Sequence, residues 1–375
     1  MTSYRLVSLP GDGVGPSVVD AAKRVLAAAG AAHGFDIAWT ELTIGGAAID
    51  AYGTSFREAD IEVCRGADAI LLGAVGGPKW DDPTSKVRPE QVLFALRGGL
   101  GLFANLRPVT VHPALVPSSP LRPELLAGVD LLIVRELTGG IYFGERTEAA
   151  GEVGQRKALD TLPYSEFEVR RVVALAFALA AARRKRLTSV DKANVLATSR
   201  LWRTVVDEER RRTPDVEVGH QLVDSCAMLL VKDPARFDVI VTENLFGDIL
   251  SDEAAVLAGS LGMLPSASLG ERQTAHGTFG LYEPIHGSAP DIAGQDKANP
   301  IGTILSAAML LRWSLGEAAA ADAVEAAVGR ALDDGFRTGD LGSGPGTTAV
   351  GTVGMTRANL DRIAIPRPVP AREGG

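Results

Sequence analysis

Short, almost continuously apolar runs, each followed by glycine or polar residues, constrain the fold of this chain more than any other feature. They occupy residues 6–9, 69–72, 131–134 and 239–241. A strand that is apolar on both faces is typical of a parallel sheet with helices on both sides. Helical patterns separate the runs, so the sequence predicts an α/β sandwich with functional loops at the carboxyl ends of the strands.

The first run leads into a glycine-rich turn at residues 11–15, followed by Pro16 and a helical pattern. We expect Pro16 in the first helical turn and a helix C-cap at Gly30. The turn resembles a dinucleotide fingerprint, with the acidic Asp36 about 20 positions further on. However, Pro16 directly follows the glycines, whereas the Rossmann pattern needs its third glycine further on. The Rossmann interpretation is the less favoured one, and the turn alone leaves it open.

Charge and composition limit the partners and the location of the protein. The formal net charge of −8 argues against general nucleic-acid binding, and the basic run at residues 183–186 follows an alanine-rich helical pattern, where cations stabilise the helix end. Every apolar stretch is shorter than the roughly 20 residues of a membrane span. The two cysteines, Cys64 and Cys226, lack CxxC spacing and favour a reducing compartment, so we expect a cytoplasmic protein. Residues 366–375 are rich in proline and glycine and are expected to be poorly ordered.

The strongest local signal is TENLFGDILSD at residues 242–252. Asp248 and Asp252 are four residues apart in a helical pattern and therefore share one face. Acids are also favourable at a solvated helix N-terminus, but the apolar neighbours indicate partial burial, where paired carboxylates usually hold a cation. Asp224 lies in another largely apolar helical run, at residues 221–231. Three aspartates favour Mg²⁺ or Mn²⁺ over zinc.

Three arginines form a second group. Arg97 and Arg107 flank the segment GGLGLFAN, and Arg135 directly follows the apolar run at residues 131–134. A single arginine after a strand is often part of a structural ion pair. Three arginines beside three aspartates instead indicate a site that binds carboxylates bidentately next to a metal, and a substrate with two carboxylates would use all of them.

Lys192 and Tyr142 are candidates for proton transfer. Lys192 lies among apolar neighbours in SVDKANVL, an environment suited to a general base. Tyr142 lies in TGGIYFGE, in the loop after Arg135. Taken alone, each is more often an ordinary surface lysine or core tyrosine. The hypothesis that they transfer protons therefore depends on the aspartates and arginines that accompany them.

A loop with the sequence EPIHGSAPDIAG, at residues 283–294, is followed by Asn299 and predicts nucleotide binding. Its backbone N–H groups and its histidine suit a nucleotide. Asp291 can accept hydrogen bonds from ribose hydroxyls and would repel a 2′-phosphate, which favours NAD over NADP. The alternative is a proline-kinked turn without a ligand, and the loop alone does not decide between them.

Five motifs together resemble one protein family. They are LLGAVGGPKWD, FANLRP, VRELTGGIYFGE, NLFGDILSDEA and GSLGMLPSASLG, at residues 71–81, 103–108, 134–145, 244–254 and 259–270. From about residue 6 to residue 351, the chain resembles the isopropylmalate/isocitrate dehydrogenase family of β-hydroxyacid oxidative decarboxylases. Its isopropylmalate branch is the most similar.

This resemblance implies a role for each candidate residue. The substrate is bound by Arg97, Arg107, Arg135, Leu93, Phe94 and Asp224. The divalent metal, Mg²⁺ or Mn²⁺, is surrounded by Asp224, Asp248 and Asp252. Protons are transferred by Lys192 and Tyr142. The nicotinamide end of NAD meets Glu90 and Asn194. The adenosine end is held by Glu283, His286, Gly287, Ser288, Ala289, Pro290, Asp291, Ile292, Ala293, Gly294 and Asn299.

The resemblance also implies a fold of two α/β lobes that is not a Rossmann fold. The cofactor-binding lobe is discontinuous and comprises residues 1–104 and 262–375. Residues 105–261 form the lobe for dimerisation, metal and substrate. In the implied homodimer, Lys192 and Asp224 of each chain serve the site of the other chain.

The implied activity is the NAD-dependent oxidation and decarboxylation of 3-isopropylmalate to 4-methyl-2-oxopentanoate and CO₂, in leucine biosynthesis. A D-malate or tartrate dehydrogenase of the same family is the alternative enzyme, and a noncatalytic regulatory subunit is a more distant alternative. Two departures from the family pattern bear on the substrate. Phe94 replaces the usual leucine, and Gly98, Gly99 and Gly101 replace basic and polar residues, which we expect to loosen that segment.

Overall fold

The computed structural model describes residues 2–82 and 84–363. Within them, strands and helices alternate along most of the chain. In chain order they are β1 (Thr2–Gly11), α1 (Gly15–His33), β2 (Phe35–Glu41), α2 (Gly45–Tyr52), α3 (Glu58–Arg65), β3 (Ala69–Ala74), α4 (Gln91–Gly99), β4 (Leu102–Thr110), α5 (Pro123–Leu126), β5 (Asp130–Glu136), β6 (Arg146–Ala150), β7 (Lys157–Asp160), α6 (Glu166–Ala181), β8 (Arg186–Asp191), α7 (Ala197–Arg212), β9 (Glu217–Leu222), α8 (Val223–Lys232), β10 (Val239–Thr242), α9 (Asn244–Ala255), β11 (Pro265–Gln273), β12 (Thr278–Pro284), α10 (Ile301–Trp313), α11 (Ala318–Asp333), β13 (Phe336–Arg337), β14 (Thr348–Ala349) and α12 (Thr352–Ile363).

In the described residues, ten strands form one mixed sheet in the order β2-β1-β3-β12-β11-β4-β5-β10-β8-β9. β2, β1, β3 and β12 are parallel neighbours, and so are β5, β10, β8 and β9. Between these halves, β12, β11, β4 and β5 pair antiparallel. The α/β class and the four predicted strands are confirmed, whereas the antiparallel centre is not predicted by the sequence. The strand order also differs from that of a Rossmann fold.

Helices on both faces explain why the predicted strands are apolar throughout. Leu6 of β1 and Leu71 of β3 belong to the larger core, which includes α1. Leu9 and Leu72 of the same strands belong to a second core, which includes α4. Successive side chains of a strand point to opposite faces, so both faces of β1 and β3 are buried. Burying one such leucine contributes roughly 1.5–3 kcal/mol.

Two predicted helix boundaries are wrong. α1 continues past Gly30 and ends at His33, and its capping residue Gly34 has a φ of +87° and donates its N–H to the carbonyl oxygen of Gly30 at 2.8 Å. This is the geometry of a left-handed C-cap. Gly30 instead allows α1 to pack closely against β2, because a Cβ at Gly30 would lie 2.6 Å from the carbonyl oxygen of Phe35. Gln221 belongs to β9 rather than to α8. Pro16 does lie in the first turn of α1, as predicted.

The glycine turn after β1 is shaped by close backbone contacts. Gly11 and Gly13 have φ values of +72° and +59°. A Cβ on Gly11 would lie 1.9 Å from the carbonyl oxygen of Ala74, and a Cβ on Gly13 would lie 2.0 Å from that of Ser288. The turn therefore joins β1 to the end of β3 and to the loop after β12.

The two cysteines, Cys64 and Cys226, are free thiols in the core. Burial raises the pKa of each thiol to about 12, so both stay protonated at neutral pH. No helix within the described residues is both long and apolar enough to cross a bilayer. The tail at residues 366–375, predicted to be poorly ordered, lies outside the described residues.

Candidate active site

A cleft of about 400 Å³ lies at the carboxyl ends of β3 and β12 in one half of the sheet and of β5 and β10 in the other. Loops after parallel strands meet at this edge and carry the polar groups. α4, β4 and α9 complete the walls. The predicted site residues that line the cleft are Glu90, Leu93, Phe94, Arg97, Arg107, Arg135, Tyr142, Asp248, Glu283, His286 and Gly287.

Arg107, on β4, is only 8% exposed and is oriented by hydrogen bonds. Its Nε donates to Oδ1 of Asn105 at 2.7 Å, and its Nη1 donates to Oγ of Ser251 at 2.5 Å and to Oδ1 of Asp252 at 3.3 Å. Desolvation lowers the pKa of Arg107, and nearby acids oppose this effect only in part. An anion in the cleft would restore some of the stabilisation that burial has removed.

Arg135, at the end of β5, is 3% exposed. Its Nε and Nη2 both donate to Oδ1 of Asn244, at 3.0 and 2.9 Å, and its Nη1 pairs with Asp248. The side chain can cross α9 because residue 247 is glycine, where a Cβ would lie 2.6 Å from Cγ of Arg135. Desolvation, followed by the neighbouring Arg107, lowers the pKa of Arg135 to about 10.

Arg97 reaches the same cleft from α4. Its Nη2 lies 3.4 Å from Oε1 of Glu283, and both side chains are largely buried. Gly98 and Gly99 end α4 directly after it, and Gly101 follows with a φ of +66°. The three glycines that depart from the family pattern therefore adjoin a cleft residue. Together the three arginines bring three positive charges to one small cleft.

Asp248 and Asp252 face the arginines from successive turns of α9, and Tyr142 faces Asp248. The Tyr142 hydroxyl donates to Oδ2 of Asp248 at 2.9 Å. Desolvation and the Asp248 carboxylate raise the pKa of Tyr142, so its phenol keeps its proton at neutral pH. Desolvation also raises the pKa of Asp252. A cation close to Asp252 would favour the charged form of that carboxylate.

Lys192, Asp224 and Asn194 lie apart from this cleft. Nζ of Lys192 donates to Oδ1 of Asp224 at 2.6 Å, and neither residue lines the cleft. Asn194 is exposed in the turn after β8. Within residues 2–82 and 84–363 of one chain, no three Asp, Glu, His or Cys side chains converge to hold a metal ion. One chain therefore brings Asp248 and Asp252 together without Asp224, and the predicted set of three would need a second chain.

A second cavity, of about 860 Å³, shares His286 and Gly287 with the cleft. Burial lowers the pKa of His286, so its imidazole is neutral. Ala289 has a φ of +39°, a strained conformation of the kind found in ligand-binding loops. The predicted cofactor residues that line this cavity are His286, Gly287, Ala289, Ile292 and Asn299. The others in the loop, which do not line it, are Ser288, Pro290, Asp291, Ala293 and Gly294.

Phe94 and Phe143 meet at the mouth of the cleft. Their ring centroids are 5.6 Å apart and the rings are nearly perpendicular, an edge-to-face contact. Phe94 belongs to α4, and Phe143 follows Tyr142 in the loop after β5. The pair therefore links the two sides of the cleft through an apolar contact.

Three residues that shape the cleft are not predicted from the sequence: Asn105, Phe143 and Asn244. Each lies inside a motif that contains a predicted residue. A neutral amide or a phenylalanine in an apolar segment has no charge to mark it, so adjacency to a candidate residue is the one signal that points to it.

The fold and the cleft define a class: α/β proteins in which an arginine-lined cleft adjoins a second, nucleotide-sized cavity. Residues 5–358 match the family described as isocitrate/isopropylmalate dehydrogenase. A 3-isopropylmalate dehydrogenase of Anaeromyxobacter dehalogenans is 58% identical over 346 residues, covering 92% of this chain and 97% of that protein. One of Geobacillus kaustophilus is 58% identical over 341 residues, 91% of each chain.

Two solved structures share the fold. An isocitrate dehydrogenase from Methylococcus capsulatus has a TM-score of 0.84 and 35% identity, covering 96% of this chain and 100% of that one. A beta-decarboxylating dehydrogenase from Thermococcus kodakarensis has a TM-score of 0.76 and 37% identity, covering 96% of each chain. The chain belongs to the isocitrate/isopropylmalate dehydrogenase family, and it is an oxidoreductase.

Proposed function

We propose that the protein catalyses the NAD-dependent oxidation and decarboxylation of 3-isopropylmalate to 4-methyl-2-oxopentanoate and CO₂, in leucine biosynthesis. The observation that carries this proposal is a cleft lined by three arginines together with an apolar wall formed by Leu93 and Phe94. The arginines suit two carboxylates, and the wall suits an alkyl branch rather than a third carboxylate. The relatives named 3-isopropylmalate dehydrogenase, at 54–58% identity, support the same substrate.

The second cavity is proposed to hold the adenosine end of NAD. Nε2 of His286 is buried without a hydrogen-bond partner among the described residues, which fits a nucleotide partner. Asp291 is exposed on the same loop, where it could accept ribose hydroxyls and repel a 2′-phosphate. Glu90, and Asn194 of a second chain, are assigned to the nicotinamide end. Bound NAD would accept a hydride from C2 of the substrate.

Asp248 and Asp252, with Asp224 of a second chain, are proposed to hold Mg²⁺ or Mn²⁺. Carboxylate oxygens are the ligands that these hard cations prefer. The raised pKa of Asp252 fits this assignment, because a cation would stabilise the charged form of its carboxylate. The bound cation would supply Lewis-acid stabilisation of the negative charge on the C2 oxygen.

Two side chains are proposed to transfer protons. Lys192 from a second chain, directly or through water, would take the proton of the C2 hydroxyl. Tyr142 would then protonate the carbon from which CO₂ has departed. The raised pKa of Tyr142 supports this role, because the phenol has a proton to give at neutral pH. The ion pair of Lys192 with Asp224 means that one chain would contribute the two residues together.

A homodimer is proposed because apolar side chains are exposed on two helices that pack together. Met228 and Val231 on α8, Ile249 on α9 and Val256 after it are 46–66% exposed. An exposed apolar patch of this kind is typical of a protein interface. The β6–β7 hairpin is exposed at every residue, although an isolated two-stranded hairpin is marginally stable in water. A second chain that covers it would account for its stability.

The proposed lobes meet where β4 pairs with β11. Residues 1–104 and 262–375 would form the cofactor-binding lobe, and residues 105–261 the lobe for dimerisation, metal and substrate. The two free, buried thiols suit a reducing compartment, and we propose that the enzyme acts in the cytoplasm.

Initial rates test the proposed function. They would be measured with 3-isopropylmalate, D-malate and isocitrate, each with NAD and with NADP. We expect the highest kcat/KM for 3-isopropylmalate with NAD. A preference for D-malate would identify the alternative enzyme, and no turnover of any substrate would favour a noncatalytic subunit. Comparable kcat/KM values with NAD and NADP would contradict the role assigned to Asp291.

A further inference from the structure

Behind Arg135 lies a polar cluster centred on the hydroxyl of Tyr164, a residue that precedes α6 and has no part in the proposed chemistry. The hydroxyl lies 3.1 Å from Oε2 of Glu136 and 3.4 Å from Oε2 of Glu243, and it accepts the backbone N–H of Asn244 at 3.0 Å. A phenol has one proton to donate, so two carboxylates share it. The hydroxyl thereby joins β5 to the start of α9.

Glu136 fixes the beginning of the loop that carries Tyr142. Its Oε1 accepts the N–H and the hydroxyl of Thr138, both at 2.8 Å, and its Oε2 accepts the N–H of Gly139 at 2.8 Å. Glu136 is fully buried, and this burial raises the pKa of its carboxyl. Each hydrogen bond therefore replaces one that water would otherwise supply.

Asn244 connects the same loop to Arg135. Its Oδ1 accepts from two nitrogens of the guanidinium, and its Nδ2 donates to the carbonyl oxygen of Gly139 at 3.0 Å. The side chain is almost fully buried. Hydrogen bonds hold both the oxygen and the nitrogen of the Asn244 amide. A shift of the Asn244 backbone would therefore also move the Arg135 guanidinium.

The ring of Tyr164 reaches this position because the loop has two glycines. A Cβ on Gly139 would lie 2.7 Å from Cε1 of the ring, and a Cβ on Gly140 would lie 2.7 Å from the hydroxyl. On its other side the ring meets Trp202 edge to face, with centroids 6.1 Å apart. The GG pair in TGGIYFGE is therefore required for contact between the loop and Tyr164.

We propose that Tyr164 is a positioning residue of this active site. Through Glu136 and Asn244, its hydroxyl sets the orientation of Arg135 and the path of the loop that carries Tyr142. Tyr164 does not line the cleft, so it acts on the substrate only through these neighbours. The inference rests on the proposed function to the extent that Arg135 binds a substrate carboxylate.

The test compares Tyr164→Phe with the matched control Tyr4→Phe. Tyr4 is a buried tyrosine whose hydroxyl, like that of Tyr164, donates to a carboxylate, that of Glu317 at 2.7 Å, and it lies outside the cleft. We expect Tyr164→Phe to raise the KM of the acidic substrate roughly tenfold and to leave the KM of NAD within about twofold, since the displaced groups, Arg135 and the loop that carries Tyr142, adjoin the cleft rather than the second cavity. Tyr4→Phe should lower Tm and change neither KM.

An unchanged substrate KM in folded Tyr164→Phe would overturn the inference. A loss of rate that merely follows the fraction of folded protein would overturn it as well. If Tyr164→Phe does not fold, Asn244→Ser tests the link through which the Tyr164 hydroxyl is proposed to act, because it removes the hydrogen bonds that join Arg135 to Gly139 and leaves that hydroxyl in place. The same selective rise in substrate KM is expected for Asn244→Ser, and its absence would contradict the inference.

Wild-type kinetics separate this inference from the proposed function. If the wild-type protein prefers D-malate, the proposed substrate is wrong, and the variants are compared with D-malate instead. Arg135 would meet a carboxylate with either substrate, so the selective change in KM tests Tyr164 in both cases.

Discussion

Two arginines in the cleft are each oriented by a buried amide. Asn105 accepts a hydrogen bond from Arg107, and Asn244 accepts two from Arg135. A neutral amide oxygen fixes a guanidinium without cancelling its charge. Because desolvation lowers the pKa of both arginines, an incoming carboxylate would meet cations that are already oriented and poorly solvated. Arg107 and Arg135 are therefore preorganised to bind an anion.

Asp248→Asn tests the metal assignment. Asp248 pairs with Arg135 and accepts the hydroxyl of Tyr142, and the amide would keep the volume but lose the negative charge. We expect kcat to fall at least about a hundredfold, or about 3 kcal/mol in transition-state free energy, with a weaker response to Mg²⁺ or Mn²⁺. Rates during metal titration check this. The exposed Asp233→Asn is the control, and near-normal activity of Asp248→Asn with unchanged metal dependence would rule out the assignment.

Glu243→Gln should change how stability depends on pH. Burial raises the pKa of Glu243 from its ordinary 4.5 to about 7. Between these values the folded protein holds a proton that the unfolded chain has released, so stability falls as pH rises through this window. Glutamine resembles the protonated acid. Above pH 7, Glu243→Gln should therefore remove up to roughly 3 kcal/mol of the fall in the free energy of unfolding.

Urea unfolding at pH 5 and pH 8 measures the effect of Glu243→Gln. The free energy of unfolding of the variant, relative to that of wild type, should be higher at pH 8 than at pH 5. Glu58→Gln, at an exposed acid in the first turn of α3, is the control and should show no such difference. An equal free-energy difference between Glu243→Gln and wild type at both pH values would contradict the prediction.

The charged residues of the cleft can be predicted from sequence, whereas their neutral partners cannot. Arg135 and Asp248 stand out as charges in apolar segments. Asn244 and Tyr164 do not, because their importance arises only when the chain folds. Arg135 and Asn244, for example, are 109 residues apart in sequence and are joined by hydrogen bonds. Nothing in the spacing of a single sequence marks such a pair.

Among the elements, the four apolar strands β1, β3, β5 and β10 can be predicted, and the central antiparallel strand β11 cannot. β3, β5 and β10 are packed on both faces and read as apolar runs. β11 begins with PSASLG, and its serines carry no hydrophobic signal. Ser266 and Ser268 lie within hydrogen-bond reach of the Asn105 amide on β4, and Ser306 on α10 accepts the Ser266 N–H. Their partners come from elsewhere in the fold, so local pattern does not reveal this strand.

The exposed apolar face of α8 and α9 gives a test of the proposed dimer. Met228→Lys places a charge on the most exposed apolar residue of that face. We expect the variant to sediment as a monomer and to lose activity, since burying an unpaired lysine in an interface is costly. Val353→Lys, at a similarly exposed valine on α12, is the control and should remain a dimer. A dimeric, active Met228→Lys would exclude this face as the interface.

At the scale of the whole molecule, mixed dimers test whether sites are shared between chains. One parent carries Lys192→Ala and the other Asp252→Ala. If Lys192 serves the neighbouring site, each mixed dimer has one site with both lesions and one with neither. Activity should rise from near zero to about a quarter of wild type after random reassortment, since about half the dimers are mixed.

Both parents in this experiment must first be dimeric and individually inactive, and mass spectrometry must confirm the exchange of chains. Under those conditions, no regain of activity would mean that Lys192 and Asp252 act within one chain. The distance of Lys192 from the cleft would then have to be closed by movement within that chain.

The placement of β12 beside β3 has a consequence for the order of assembly during synthesis. β3 ends at residue 74, but its parallel neighbour β12 begins at Thr278, so the ribosome adds about 200 residues between them, which takes roughly 10–40 s. Meanwhile β5, β8, β9 and β10 are all made and can complete the other half of the sheet. The half of the sheet that contains β1 and β3 is therefore synthesised first and completed last. Until β12 is made, the unpaired edge of β3 is a template for aggregation.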